Sequence, residues 1–189
     1  MKKLLGCFLC VMLLVLGAQV HALPIDIDPD TGTFDFCRYE GDQNNQNDIN
    51  GVIASILGSA VELYKAEVGE GESGALATSY ETEFLNAPLD PSEATITYEG
   101  GPFITDAFLL VKDGNHSPAW YLFDLTGICT SLDWNGTEQL VLSGFWPDQG
   151  AISHVTLYGG ESVPEPATMF LLGTGLIGLA LFGRQRFKK

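Results

Sequence analysis

Two uninterrupted apolar stretches, one near each end of the chain, constrain its organisation more than any other feature. Residues 4–16 form an apolar run behind Lys2 and Lys3, and residues 167–183 form a second run of 17 residues without a charge. Between them, residues 23–163 make a segment of 141 residues, long enough for one domain and short for two. The sequence therefore predicts one folded domain between two terminal segments that lie outside it.

The N-terminal stretch has the parts of a cleavable secretory signal peptide. Its apolar run of 13 residues is well below the roughly 20 that span a bilayer, and small side chains at Val20 and Ala22 suit a signal peptidase. We expect residues 1–22 to direct export through the Sec machinery and signal peptidase to cut between Ala22 and Leu23. A lipoprotein signal ending at Cys7 is disfavoured, because a lipobox closes the apolar run and this one opens it.

The C-terminal stretch has the composition of a membrane helix. Seventeen helical residues rise about 26 Å, which is at the thin end of a bilayer core. A basic stop follows it and should stay on the cytoplasmic side, which places the middle of the chain outside. We therefore predict a transmembrane helix over 167–183, with a stop formed by Arg184, Arg186, Lys188 and Lys189.

The tetrapeptide Val163-Pro164-Glu165-Pro166 stands directly before this helix. Its two prolines disfavour regular structure, leaving an extended strip that a protease could engage. A Pro-Glu-Pro tripeptide, a glycine-interrupted apolar helix and an Arg-rich end, in that order, resemble the PEP-CTERM protein-sorting signal over residues 163–189. The resemblance implies processing by a membrane-embedded exosortase in a Gram-negative bacterium that makes exopolysaccharide. The alternative is a plain membrane anchor with a chance tripeptide.

The middle segment is strongly acidic. Residues 23–163 carry 23 acidic side chains and three basic ones, Arg38, Lys65 and Lys112, which gives a net charge of −20. Such a surface repels polyanions, so nucleic acid is excluded as a partner.

The pattern of the middle changes along its length. Residues 23–48 form an acidic polar segment, and residues 49–162 are expected to form a β-rich ectodomain with a leading helix. Apolar residues at helical spacing predict an amphipathic helix over 49–67, capped by Asp48 or Asn50, with a flexible acidic loop over 69–74 behind it.

After the helix, short runs of β-branched and aromatic residues alternate with turn residues, which predicts a mainly β fold, an antiparallel β-sandwich. Three runs, at 111–115, 120–125 and 150–159, resemble the β-sandwich ectodomains common among PEP-CTERM proteins. This resemblance implies a fold and a setting, and it does not assign any catalytic residue. The predicted strands are 78–85, 94–98, 103–112, 119–124, 138–145 and 152–158, and the predicted turns are 113–115, 126–127, 135–136 and 159–160.

Two cysteines, Cys37 and Cys129, remain after removal of the signal peptide. In an exported protein such a pair is most simply a disulfide. Closing the loop between them would stabilise the fold by up to about 4–5 kcal/mol in the chain-entropy model. Two free, buried thiols are the alternative.

Asp26, Asp28 and Asp30 stand at alternate positions, as at the start of a calcium loop. The glycine of that loop falls one position late, at Gly32, and Cys37 replaces the glutamate that should close it. We interpret the segment as a solvated acidic strip and expect no cofactor, with loose calcium binding as the alternative.

Aromatic residues in the β region offer a possible ligand-binding surface. Trp134, between Asp133 and Asn135, is the ring expected to be exposed, where it could stack on a sugar. Packing inside the sandwich is the alternative for this and the other aromatic rings.

No common catalytic motif occurs, and His116 and His154 are interpreted as a loop residue and a hydrogen-bonded strand residue. The sequence therefore predicts a non-enzymatic structural or interaction protein, sorted by exosortase to the cell surface or an exopolysaccharide matrix. A carbohydrate- or calcium-binding module delivered by the same route is the alternative, and a hydrolase is the third hypothesis.

Overall fold

The described part of the chain folds into two β-sheets with one helix packed on the outside. The computed structural model describes residues 23–31, 37–58, 60–85, 87, 90–113, 116–128, 133–146 and 152–161. The strands of this part are β1 (Ile25–Ile27), β2 (Arg38–Gly41), β3 (Val61–Glu67), β4 (Gly71–Ser73), β5 (Tyr80–Leu85), β6 (Glu93–Tyr98), β7 (Ile104–Lys112), β8 (Trp120–Asp124), β9 (Leu140–Leu142) and β10 (His154–Glu161), and the helix is α1 (Gln46–Leu57).

The two sheets differ in size and in strand order. A four-stranded sheet has the order β1-β9-β6-β5, and a six-stranded sheet has the order β2-β8-β7-β10-β3-β4. Neighbouring strands are antiparallel except β1 and β9, which are parallel. The predicted mainly β fold with two sheets is confirmed, with one parallel pair at an edge.

The hydrophobic core has two parts, on either side of the six-stranded sheet. Because side chains alternate along a strand, Tyr121 and Phe123 of β8 join the cluster between the sheets, whereas Trp120 and Leu122 join the cluster under α1. All five residues of β8 are buried for this reason. A strand covered on both faces fixes the position of the loops at its ends.

The helix is shorter than predicted. Asn45 caps it by accepting a 2.9 Å hydrogen bond from the Asn47 amide, so the prediction of Asp48 or Asn50 as the cap is wrong. It ends at Gly58, whose φ is +66° and whose amide donates to the Ala54 carbonyl at 3.0 Å. Glycine adopts this left-handed conformation without the steric cost that other residues meet.

Beyond Gly58, the predicted second half of the helix is a strand. β3 pairs with β10 on one side and with β4 on the other, so residues 61–67 satisfy their backbone groups in the sheet. Tyr64 fits the helical spacing, and with Ala66 it also fits the two-residue alternation of a strand. Periodicity could not distinguish a helix from a strand here, and the long-range pairing of β3 with β10 determines that residues 61–67 form a strand. The loop predicted over 69–74 is also wrong in part, because Gly71–Ser73 forms β4.

The six predicted strands are present, with shifted ends, and four were missed. The acidic segment 23–48 contributes β1 and β2, each too short to show alternation. The predicted turn at 159–160 is wrong, because both glycines lie inside β10 where its register with β7 shifts. A Cβ at Gly159 would lie 2.5 Å from the Thr105 carbonyl oxygen, so the close approach there requires a glycine.

Several predictions concern parts of the chain outside the described residues. These are the signal peptide 1–22, the sorting signal with its helix and basic stop over 163–189, and Cys129. Within the part that the structure describes, no helix is long and apolar enough to cross a membrane.

Candidate functional site

A cleft of about 430 Å³ opens at the end of the sandwich where three connections meet. Strand β8 supplies Tyr121, and the segment after β9 supplies Trp146. The turn after β1 supplies Asp30, and the connection from β7 to β8 supplies His116 and Ser117. We call this the aromatic cleft, because the rings of Tyr121 and Trp146 form part of its wall.

Trp146 is held in an unusual backbone conformation. Its φ is +45°, a region that bulky residues rarely adopt. Its indole Nε1 donates a 2.7 Å hydrogen bond to the Pro118 carbonyl, and its ring centroid lies 5.3 Å from that of Tyr121. Gly144 has a φ of +72°, and a Cβ there would collide with the Asp28 carboxylate. These contacts fix the position of the indole ring.

Charged side chains surround the phenol of Tyr121. The Arg38 guanidinium carbon lies 5.8 Å from its ring centroid, and Arg38 pairs with Asp30 at 3.8 Å and with Glu40 at 3.4 Å. Burial raises the pKa of Tyr121, and the negative charge of Glu40 raises it further while Arg38 opposes the shift. The phenol therefore stays protonated and can donate as well as accept.

His116 and Ser117 line the same cleft and could suggest a nucleophile with its base. His116 Nδ1 lies 2.5 Å from Asp113 Oδ2, which orients the imidazole. Ser117 Oγ, however, donates its proton to Asp42 Oδ1 at 2.7 Å. A serine nucleophile needs the imidazole as its proton acceptor, so this arrangement favours binding over acyl transfer.

A second cleft, of about 580 Å³, lies between the β3–β4 hairpin and β5 and contains four glutamates: Glu67, Glu72, Glu81 and Glu83. Glu67 Oε1 pairs with Lys65 Nζ at 2.5 Å, and this hydrogen bond lowers the pKa of Glu67. Glu72 Oε1 accepts from the Thr82 amide at 3.4 Å. This contact covers a backbone donor at the exposed edge of β5, a recognised way of limiting edge-to-edge aggregation.

The three aspartates of the predicted calcium loop do not converge. Asp26 is exposed on β1, whereas Asp28 Oδ1 accepts from the Asp30 and Thr31 amides at 2.7 and 2.9 Å. Asp30 instead pairs with Arg38. The described ranges contain no group of three His, Cys, Asp or Glu side chains placed to hold a metal. The idea of these aspartates as a joint calcium site is therefore wrong.

Trp134 is not an exposed stacking residue, so that prediction is also wrong. Its side chain is 2% exposed and packs between the sheets, with its ring centroid 6.1 Å from that of Tyr80. Nε1 donates to the Glu138 carbonyl at 2.8 Å, and Asn135 Oδ1 accepts from the amides of Thr137 and Glu138. This turn, which the sequence does predict, directs the ring inward. Trp146, which follows Gly144 closely in the chain and donates a hydrogen bond to the Pro118 carbonyl, lines the cleft instead.

The predicted disulfide joins a described residue to one outside the described ranges. Cys37 is buried and belongs to the core between the sheets. Cys37 stands directly before β2, whose partner β8 ends at Asp124, five positions before Cys129 in the chain. The disulfide stays a prediction.

Comparison with known proteins adds information at the C-terminus. The chain matches no curated protein and no solved structure. Residues 162–186 match the family model of the PEP-CTERM protein-sorting motif, as the Pro-Glu-Pro strip, the apolar run and the basic end had indicated. The motif begins immediately after β10 ends at Glu161. The chain therefore carries a PEP-CTERM sorting signal, which implies export and processing of a membrane-anchored precursor by an exosortase of a Gram-negative bacterium.

Proposed function

We propose that this protein is a non-enzymatic structural or interaction component of an exopolysaccharide matrix at the cell surface. The Sec machinery and signal peptidase release the mature chain at Leu23, and exosortase then processes it at Val163-Pro164-Glu165-Pro166. The match of residues 162–186 to the sorting motif carries the proposal. The exosortase route implies a bacterium that makes the polysaccharide in which the protein would reside.

The order of elements along the chain supports this route. Strand β10 ends at Glu161 and lies inside the six-stranded sheet, between β7 and β3. All the described strands and α1 therefore precede the motif. Removal of the sorting signal would leave these elements together, so processing separates a folded domain from its anchor.

The charge of the middle segment suits a protein that works in a hydrated matrix. Its net charge of −20 favours solubility and discourages self-association through like-charge repulsion. The same charge disfavours contact with anionic surfaces and polymers. The protein would therefore remain dispersed among matrix chains instead of collapsing onto the membrane that released it.

The non-enzymatic part of the proposal draws on the histidines. His116 is engaged by Asp113 while the neighbouring Ser117 donates to Asp42, and His154 is buried within the six-stranded sheet. Screening the processed protein on ester and glycosidic substrates tests this part. Turnover that is lost in His116→Gln and kept in His154→Gln would contradict it and favour a hydrolase in the aromatic cleft.

Intact mass spectrometry of the protein from its native host is the experiment that tests the route. We expect a mass that starts at Leu23 and ends near Pro-Glu-Pro. Replacing Pro164, Glu165 and Pro166 by alanine should yield a chain that keeps the basic stop, whereas the control Glu161→Gln, outside the matched residues, should be processed normally. A wild-type mass that includes Lys189 would contradict sorting by exosortase.

Cell fractionation tests the destination. The processed protein should be found with the matrix, and in a host unable to make exopolysaccharide it should move to the medium. Retention on cells of that host would contradict the matrix role while leaving the processing route intact.

A carbohydrate-binding module is the second candidate, and the aromatic cleft is the specific observation that favours it. Trp134 is buried, so loss of retention on a polysaccharide column in Trp134→Ala would reflect unfolding instead of a lost contact. A test of carbohydrate binding must therefore address other residues.

A further inference from the structure

We propose that the aromatic cleft is a binding site for a neutral hexose-based polysaccharide. The inference rests on the proposed function only in its choice of a matrix polymer as the ligand. It adds a site and a ligand class through which a matrix component would be retained. The named residues are Tyr121, Trp146, Asp30, His116 and Ser117.

The two rings supply the apolar part of the site. The planes of Tyr121 and Trp146 are inclined by 47°, with the ring centroids 5.3 Å apart. Their side chains are only 8% and 7% exposed, and both line the cleft. The apolar C–H face of a sugar ring packs on aromatic surface of this kind, while its hydroxyls stay available for hydrogen bonds.

The polar side chains around the rings match the hydroxyl groups of a sugar. Asp30 offers carboxylate acceptors on a side chain that is 76% exposed. His116 uses Nδ1 toward Asp113, which leaves Nε2 as its other polar atom, and the hydroxyls of Ser117 and Tyr121 donate or accept. A volume of about 430 Å³ lies within the range of small-molecule sites. Vicinal sugar hydroxyls need such a mixture of donors and acceptors.

The wall is preorganised at a conformational cost. A tryptophan at φ +45° is conformationally strained, and this backbone geometry persists only where surrounding contacts impose it. Here the contacts are the hydrogen bond to the Pro118 carbonyl and the close approach of Gly144 to Asp28. A ring fixed before the ligand arrives loses little entropy when the ligand binds.

The charge around the cleft selects the class of polysaccharide. Asp30, Asp42 and Glu40 lie at or beside its wall, and Arg38 is already paired with Asp30 and Glu40. The surrounding segment carries a net charge of −20. A uronate-containing chain would be repelled electrostatically as it approached the cleft, whereas a neutral chain would not. The ligand is therefore assigned as neutral.

The three tryptophans allow the site to be located by NMR. The full-length chain, labelled with ¹⁵N at the indole nitrogens and held in detergent micelles, should give signals for Trp120, Trp134 and Trp146. Titration with a neutral β-glucan oligosaccharide and with galactomannan oligosaccharides should shift the Trp146 signal saturably. Neither Trp120 nor Trp134 lines the cleft, so their signals should move much less.

Two pairs of variants test the contacts. Asp30→Asn and Tyr121→Phe should weaken binding of the responding oligosaccharide by fivefold or more. Asp26→Asn removes the same charge from the same segment, and Tyr158→Phe removes a buried hydroxyl under α1, so both controls should bind within twofold of wild type. Equal weakening in a control and its partner would overturn the assignment.

Other results would also overturn it. These are no saturable Trp146 shift with either neutral oligosaccharide, a larger shift at Trp120 or Trp134, or tighter binding of alginate oligosaccharides than of the neutral ones. Each result concerns the site alone, because mass and fractionation test the route and destination separately. Correct processing and matrix localisation with no Trp146 shift would refute the site and leave the proposed function standing.

Discussion

His154 makes the stability of this protein depend on pH in a way that can be calculated. The side chain is 6% exposed in β10, and within the described residues its Nε2 has no hydrogen-bond partner. The pKa of His154 is lowered from 6.5 to about 4, mainly by burial and also by the positive charges of Lys65 and Lys112, while the negative charge of Glu67 opposes them. The folded protein therefore holds this imidazole neutral.

The sign and size of the effect follow from linkage. Because the pKa is lower in the folded state, the unfolded chain binds the proton more readily, and stability falls as the pH drops from 6.5 toward 4. The full loss is about 3 kcal/mol, at about 1.4 kcal/mol for each pH unit between the two values. Between pH 7 and pH 5 alone, the loss from this residue is about 2 kcal/mol.

Urea unfolding of the processed protein between pH 5 and pH 7, followed by tryptophan fluorescence, measures this loss. His154→Gln should remove about 2 kcal/mol of the pH dependence, whatever it does to stability at pH 7. Asn50→Ala, an exposed substitution in α1 that changes no titratable group, serves as the control and should leave the wild-type slope. Parallel stability curves for wild type and His154→Gln would refute the assignment of a buried neutral imidazole.

Three further predictions concern the core and its connections. Tyr80→Phe should destabilise the protein by about 1–3 kcal/mol in urea unfolding, because Tyr80 Oη accepts from the Ile104 amide and donates to the Gly136 carbonyl at 2.8 Å each. The control Tyr39→Phe removes an exposed hydroxyl and should change stability by less than about 0.5 kcal/mol. Gly136→Ala should lower the melting temperature, because the φ of Gly136 is +82° and a Cβ there would collide with the Ile104 carbonyl. The matched substitution Gly51→Ala in α1 should raise the melting temperature, because a Cβ at Gly51 meets nothing within 4 Å. Non-reducing peptide mapping should find Cys37 linked to Cys129, and separate peptides from the unreduced protein would contradict the disulfide.

The β class and most strands could be predicted, because alternation and turn residues are local signals. The prediction was wrong where two periods agree, as at Tyr64, which fits both a helix and a strand. There the chain follows Gly58 and the pairing of β3 with β10, neither of which periodicity contains. The short strands β1 and β2 were missed for the same reason, since three or four residues acquire their structure from the partner strand.

Less of the candidate site than of the fold could be predicted from the sequence. Trp134 and Trp146 both stand beside turn residues, yet one packs between the sheets and the other lines a cleft. Asp30, Tyr121 and Trp146 are far apart in the chain and meet only because the two sheets bring three connections to one end. Such a meeting depends on strand order, which no single segment encodes.

The sequence by itself determined the sorting route of the protein, because the sorting motif is a linear feature that an enzyme recognises along the chain. It also determined the acidic charge and the β character, which depend on residue types and their spacing. Only the tertiary structure decided where the helix ends, which tryptophan is buried and which side chains share a cleft. Those outcomes depend on contacts between distant segments, and their free energies exceed the local preferences that the sequence reveals.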